Sequence, residues 1–160
     1  MSIQSYTTTF SVDRTPAEVF AAVNDVRGWW SEDVEGCTDE VGAEFVFEVK
    51  GVHYSKIRVT QLVPGEKVVW RVLDAHMTFV EDATEWEDTE IRFEISEREG
   101  ATEVRFTHVG LLPEIECYDA CSNAWALYVG GSLRSLIVTG EGQPSSNPDE
   151  ARYQERQHAG

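Results

Sequence analysis

After Leu111-Leu112-Pro113 the apolar residues of this 160-residue chain stop alternating and recur at three- and four-residue spacings: Cys117, Cys121, Trp125, Tyr128, Val129, Leu133, Leu136 and Ile137. A helix returns side chains to one face about every 3.6 residues, whereas a strand alternates every second residue, so the change of period predicts one long amphipathic helix. From Glu116 to Thr139 it would span about 36 Å at ~1.5 Å per residue, enough to cross a whole sheet. Glu114 and Glu116 suit its positive end, and Gly140 suits the left-handed cap beyond it. Gly130-Gly131 costs it about 1 kcal/mol per glycine relative to alanine, which close packing against a strand or a slight bend would explain.

Everything upstream reads mainly as strand. Tyr6 to Val12 alternates Thr8, Phe10 and Val12 against Thr7, Thr9 and Ser11. A helix follows: Thr15 caps it, Pro16 suits its first turn, Glu18 stands three residues after the cap, and Val19, Phe20 and Val23 form its stripe. Asn24 and Asp25 end it, and Arg27 to Ser31 fits one more short turn carrying Trp29 and Trp30. Ala43 to Val49 and Val52 to Val63 read as a hairpin about Lys50-Gly51, with Ile57 and Val59 sharing parity with His53, Ser55 and Gln61. Pro64-Gly65 turns the chain into Lys67 to Asp74. His76 to Thr84 is ambiguous between a short edge strand and a loop. Glu90 to Glu97 and Glu103 to Val109 form a second hairpin about Glu99-Gly100.

A sheet with one apolar face and a single long helix to cover it must curve around that helix. The fold expected is therefore α+β, a helix-grip in which a curved antiparallel sheet wraps the C-terminal helix, with one or two short helices after the first strand. One domain accounts for the length, since a chain of this size buries roughly 70% of its unfolded surface in one core. We place that domain at 1–142 and a polar tail at 143–160, where apolar residues almost vanish.

Charge narrows the partners. Thirteen basic against twenty-nine acidic residues give a formal charge of −16, a field that repels phosphate backbones and anionic headgroups. Nucleic acid and membrane are not expected as partners; solubility or a salty cytoplasm would explain the acid excess, and no function is put on it. The N-terminus lacks the basic head and apolar run of a signal peptide, and no apolar stretch approaches the ~20 residues of a membrane helix. Cys37, Cys117 and Cys121 have no zinc-pair spacing and fit a reducing, cytoplasmic setting.

Several stretches taken in order resemble the START-like (SRPBCC) superfamily, and within it the branch similar to activators of the ninety-kilodalton heat-shock chaperone's ATPase. They are Thr15-Pro16-Ala17-Glu18-Val19-Phe20, Gly28-Trp29-Trp30, Pro64-Gly65-Glu66-Lys67 followed by Val68-Val69-Trp70, the Trp86 to Ile95 strand, and Trp125 to Gly140 with Gly131-Ser132-Leu133 and Thr139-Gly140-Glu141-Gly142. The resemblance covers about residues 5 to 142. It implies a hollow between sheet and C-terminal helix that in many relatives holds apolar molecules, and it implies no universal catalytic residue.

Very large side chains face this hollow, and a gap lined by them is where ligands bind. Trp30, Phe45, Phe47, Trp70, Phe93, Phe106, Trp125 and Tyr128 are the candidate apolar contacts, with Trp29 as a further aromatic. Strand parity puts His53, Asp74, His76 and His108 on the same faces as Ile57, Trp70 and Phe106, as polar groups at the rim or in contact with a ligand. Asp74 with a histidine could also make an acid/base pair or a metal site. No catalytic residue, metal or cofactor is assigned. Cys117 and Cys121, four apart on one helical face, read as small core residues rather than a redox pair. The leading expectation is a binding or carrier protein for an apolar or amphipathic small molecule. An enzyme of cyclase, dehydratase or hydrolase type and a co-chaperone-like interaction module are the alternatives, in a monomer or homodimer.

Overall fold

A computed structural model describes residues 5–49, 53–78, 86–112 and 118–144. The first strand, β1 (Tyr6–Val12), leads into α1 (Pro16–Asn24) and the one-turn α2 (Val26–Trp29). Then come β2 (Glu35–Gly36), β3 (Glu44–Val49), β4 (His53–Val63), β5 (Lys67–Met77), β6 (Glu90–Arg98) and β7 (Ala101–Val109). The chain closes on α3 (Tyr118–Trp125), a π-helical stretch Ala126–Leu133, and α4 (Arg134–Thr139). The strands form one antiparallel sheet in the order β1-β7-β6-β5-β4-β3-β2, and its apolar face packs on the C-terminal helix. This is the α+β helix-grip expected from the sequence. Among the described residues no helix is long and apolar enough to cross a membrane.

Local chemistry sets the ends. The Thr15 hydroxyl accepts the Glu18 N–H at 3.1 Å, satisfying one of the orphan donors that open a helix. At Pro64-Gly65 the Glu66 N–H donates to the Val63 carbonyl at 2.9 Å and Gly65 takes φ +72, the geometry of a type II turn. Glu99 and Gly100 both have positive φ, +52 and +83, as a two-residue hairpin with strand-matching twist requires. Gly140 caps α4 at φ +87. The Lys50-Gly51 turn, the start of the helix with Glu114, Glu116 and Cys117, the stretch 79–85, and the tail beyond 144 lie outside the described residues.

Four expectations change. The strand named from Trp86 in the resemblance starts at Glu90, where alternation placed it, because Trp86 to Asp88 form a turn. The two-residue β2, paired to β3, had no alternation to announce it. The C-terminal helix widens to π geometry where Gly130 and Gly131 sit; both are exposed, and a Cβ on either would meet nothing within 4 Å. Close packing therefore does not explain them. Bulges, finally, break strand parity twice. Lys56 pairs Asp74 but Ile57 pairs Val72, leaving Leu73 as an extra residue in β5; Val59 pairs Trp70 but Gln61 pairs Val69, leaving Thr60 extra in β4. Each extra residue flips the pleat beyond it, so Gln61 turns outward and Leu62 packs on the core.

The helix is tied to the first half of the chain. The Ser132 hydroxyl donates to the Trp29 carbonyl at 2.7 Å and accepts the Gln143 N–H at 2.6 Å. Where the chain leaves α4 it presses on α2, so closely that a Cβ on Gly142 would lie 2.1 Å from the Gly28 carbonyl oxygen. These contacts hold Trp29 and Trp30 between the helix and the sheet.

Candidate functional site

Much of the expected hollow is solid. Trp29, Trp30 and Trp70 stack nearly parallel, with Trp30 and Trp70 6.0 Å apart at 3° and Trp29 6.1 Å from Trp30. Phe93 meets Trp29 and Trp70 edge-on at 5.7 and 5.1 Å, and Phe45 meets Trp70 edge-on at 5.1 Å. Phe106 closes the block against Phe93 at 5.1 Å. All of these rings are buried. Each indole or phenyl removes ~150–250 Å² from water, so the middle of the grip is held by core packing. The Trp70 Nε1–H, buried here, has no hydrogen-bond partner among the described residues.

An apolar cavity of about 170 Å³ remains at one end. Its inner wall is Trp30, Phe47, Trp86, Cys121 and Trp125, and its outer wall is Val49, His53, Ala120, Ala124 and Tyr128. Ala120, Ala124 and Tyr128 stand four residues apart on one helical face, which is why they meet there. Of the expected contacts, Trp30, Phe47, His53, Trp125 and Tyr128 line the cavity. Phe45, Trp70, Phe93 and Phe106 belong to the packed block, and His108 lies behind the wall. Trp86 and Cys121 were not among the expected contacts. Trp86 sits in a turn, where alternation says nothing about direction, and Cys121 shares the helical face of Trp125.

Asp74 and His76 are corrected outright. Both are exposed, on the face of β5 away from the helix, while Ala75 and Met77 are buried between them. The extra residue Leu73 causes this: parity counted from Trp70 and Val72 assigns Asp74 and His76 inward, and the bulge reverses it. Asp74 therefore stands on the opposite face from His53 and His108, so the alternative of an acid/base pair with either of them is not assembled. Among the described residues no group of three or more His, Cys, Asp or Glu gathers as metal ligands.

Hydrogen counting fixes the state of His108. The Thr89 hydroxyl donates its single proton to the Trp86 carbonyl at 2.6 Å, so at its 2.9 Å contact with His108 Nε2 it can only accept. Nε2 carries the proton. Nδ1 then accepts the Trp125 Nε1–H at 3.0 Å, and both ring nitrogens are used. Burial, reinforced by nearby His53, pushes the His108 pKa down to about 3. This neutral imidazole is a bracket: it sets Trp125 directly and Trp86 through Thr89. The Trp86 Nε1–H donates in turn to Cys121 Sγ at 3.3 Å.

His53 is the one histidine on the cavity wall. Its Nε2 lies 2.6 Å from the Ser55 hydroxyl, and burial lowers its pKa to about 4, so it too is neutral at pH 7. A neutral imidazole offers one donor and one acceptor. Among the described residues the cavity thus combines apolar rings with the hydrogen-bonding edge of His53 and the phenol of Tyr128.

Comparison with known proteins places this geometry. The family model described as Activator of Hsp90 ATPase homolog 1-like protein matches residues 13–137. The solution structure of the Aha1 dimer from Colwellia psychrerythraea is similar with a TM-score of 0.69 and 25% identity, over 89% of this chain and 100% of that one. CalU16 from Micromonospora echinospora has a TM-score of 0.61 at 15% identity, over 95% of this chain and 81% of that one. DynU16, from the dynemicin biosynthetic locus, has a TM-score of 0.62 at 16% identity, over 88% of this chain and 49% of that one. These last two likenesses show the fold alone. No curated protein matches the sequence.

Proposed function

The chain belongs to the family of Activator of Hsp90 ATPase homolog 1-like proteins, and from that membership we propose that it binds an apolar or amphipathic small molecule between the sheet and the C-terminal helix. The observation that carries this reading is the cavity itself. In an otherwise close-packed interior, about 170 Å³ lies uncovered against Trp30, Phe47, Trp86 and Trp125, and voids larger than a water molecule are few in a domain. A dry hollow of about 150 Å³ lined by apolar side chains takes up benzene or xenon, so a space of this kind favours an apolar occupant.

Native mass spectrometry of protein purified under mild conditions tests the proposal. An adduct present on the natural chain and lost from an Ala124→Trp variant, whose indole would fill the cavity, is the expected result. A natural chain with no adduct that also fails to take up small apolar probes refutes it.

The family description favours a second reading, contact with a large ATP-dependent chaperone, and the solved relative from Colwellia is described as a dimer. A pull-down with the host's chaperone and a sedimentation measurement check both; failure to recover the chaperone counts against the first, and a monomer at micromolar concentration against the second.

A further inference from the structure

Five rings of the cavity wall form a circuit. Phe47 stacks on Trp30 at 4.2 Å, Trp30 meets Trp125 at 4.9 Å, and Trp125 stacks on Trp86 at 5.7 Å. Trp86 takes His53 edge-on at 4.5 Å, and His53 returns edge-on to Phe47 at 5.3 Å. We infer that the occupant is an uncharged, rigid mono- or bicyclic ring compound bearing one hydrogen-bonding group, rather than an acyl chain or a charged molecule. This rests on the ligand-binding reading above and adds the chemical class.

Three features lead there. Size comes first: a cavity of about 170 Å³ suits roughly six to ten non-hydrogen atoms, given that ~150 Å³ holds benzene. Shape is second. Each ring in the circuit is held by two neighbours, so widening the wall for a long chain breaks ring pairs, and a flexible chain also loses rotational freedom on entry that a rigid ring never had.

Charge is third. A formal charge set against this apolar wall loses its hydration, and for anions the charge of −16 adds repulsion on approach. His53 is a polar handle on this wall. Its Nε2 is taken by Ser55, leaving Nδ1 as the ring nitrogen to meet a ligand. Depending on tautomer Nδ1 donates or accepts, and a phenol hydroxyl can answer either way.

Ligand-detected NMR with the full chain tests the class, using phenol, indole, toluene, benzoate, phenyltrimethylammonium and 1-octanol as probes. Phenol and indole are expected to bind at least tenfold more tightly than benzoate, phenyltrimethylammonium or 1-octanol. His53→Leu should weaken phenol about tenfold and leave toluene unchanged. His53→Gln, which keeps a hydrogen-bonding group, should retain most of the phenol affinity; the three natural-sequence comparisons need no variant to fold. Equal or tighter binding of 1-octanol or of either ion overturns the inference while leaving the binding proposal standing. Equal loss of phenol and toluene in His53→Leu removes the role of His53. If no probe binds, the ligand-binding reading itself fails.

Discussion

Replacing His108 with phenylalanine keeps an aromatic ring in the same slot and removes both of its hydrogen bonds. The Thr89 hydroxyl keeps its own acceptor, the Trp86 carbonyl, so the main loss at neutral pH is the stranded Trp125 Nε1–H. An unpaired buried donor costs about 1–3 kcal/mol, and ~2 kcal/mol is the expectation at pH 7.5. The sign then works against the natural protein as pH falls. In the folded state the His108 pKa is depressed from 6.5 to about 3, so below pH 6.5 the unfolded chain binds a proton that the folded chain refuses. The histidine is neutral and harmless above pH 6.5, and stability drains from the natural protein by about 1.4 kcal/mol per pH unit between there and the folded pKa. The variant carries no such loss at this position, and His53 titrates in both proteins, so it largely cancels in the difference. A deficit of ~2 kcal/mol at pH 7.5 should shrink to under ~1 kcal/mol at pH 5.5 and vanish near about pH 5. Urea unfolding followed by tryptophan fluorescence at pH 7.5, 6.5, 5.5 and 5.0 measures it. A deficit independent of pH, or an NMR titration of folded His108 near pH 6, would refute the neutral bracket.

Other substitutions separate packing from site. Gly142→Ala puts a methyl against the Gly28 carbonyl and should cost roughly 1–3 kcal/mol, whereas Gly130→Ala meets nothing and should stabilise by up to about 1 kcal/mol; paired thermal melts decide, and a large loss in Gly130→Ala would mean the π stretch needs the glycine. Removing the cap with Thr15→Ala should cost about 1 kcal/mol, read by the same denaturant series. Asp74→Ala combined with His76→Ala, both on the outer face, should change stability by no more than ~0.5 kcal/mol and leave phenol binding untouched; lost binding would mean that these residues reach the cavity after all.

How much of this was legible in the sequence depends on whether a signal is periodic. Val104, Phe106 and His108 alternate cleanly, as do Ile91, Phe93 and Ile95, and all six are buried. The turn residues Gly65 and Gly100 announced themselves, because few side chains tolerate their φ values. The bulges were silent. Leu73 and Thr60 are ordinary strand residues, and only cross-strand register shows that each is extra; one such residue reassigned Asp74 and His76 to the opposite face, away from His53 and His108. Trp86 was equally hidden, since a turn residue has no partner positions from which to infer direction.

The same feature that suggested a hollow also limited it. Many large rings on one sheet face imply a gap only if they stand apart, and here Trp29, Trp30 and Trp70 pack nearly parallel with centroids 6.0 to 6.4 Å apart, which takes Trp70 into the core and leaves Trp30 at the cavity's edge. Stacking of this kind is possible because α2 brings two adjacent indoles to the sheet, and the Trp29 Nε1–H reaches the Val23 carbonyl at 3.1 Å, fixing the first of them. What stays open is the end beyond Trp30, where Trp86 and Trp125 turn to satisfy their N–H groups on Cys121 and His108. Those two bonds orient the indoles that wall the cavity. The cavity's shape is thus set by polar contacts behind its apolar wall, and changes at His108 or Thr89, which do not line it, should alter the ranking of the NMR probes if the binding proposal holds.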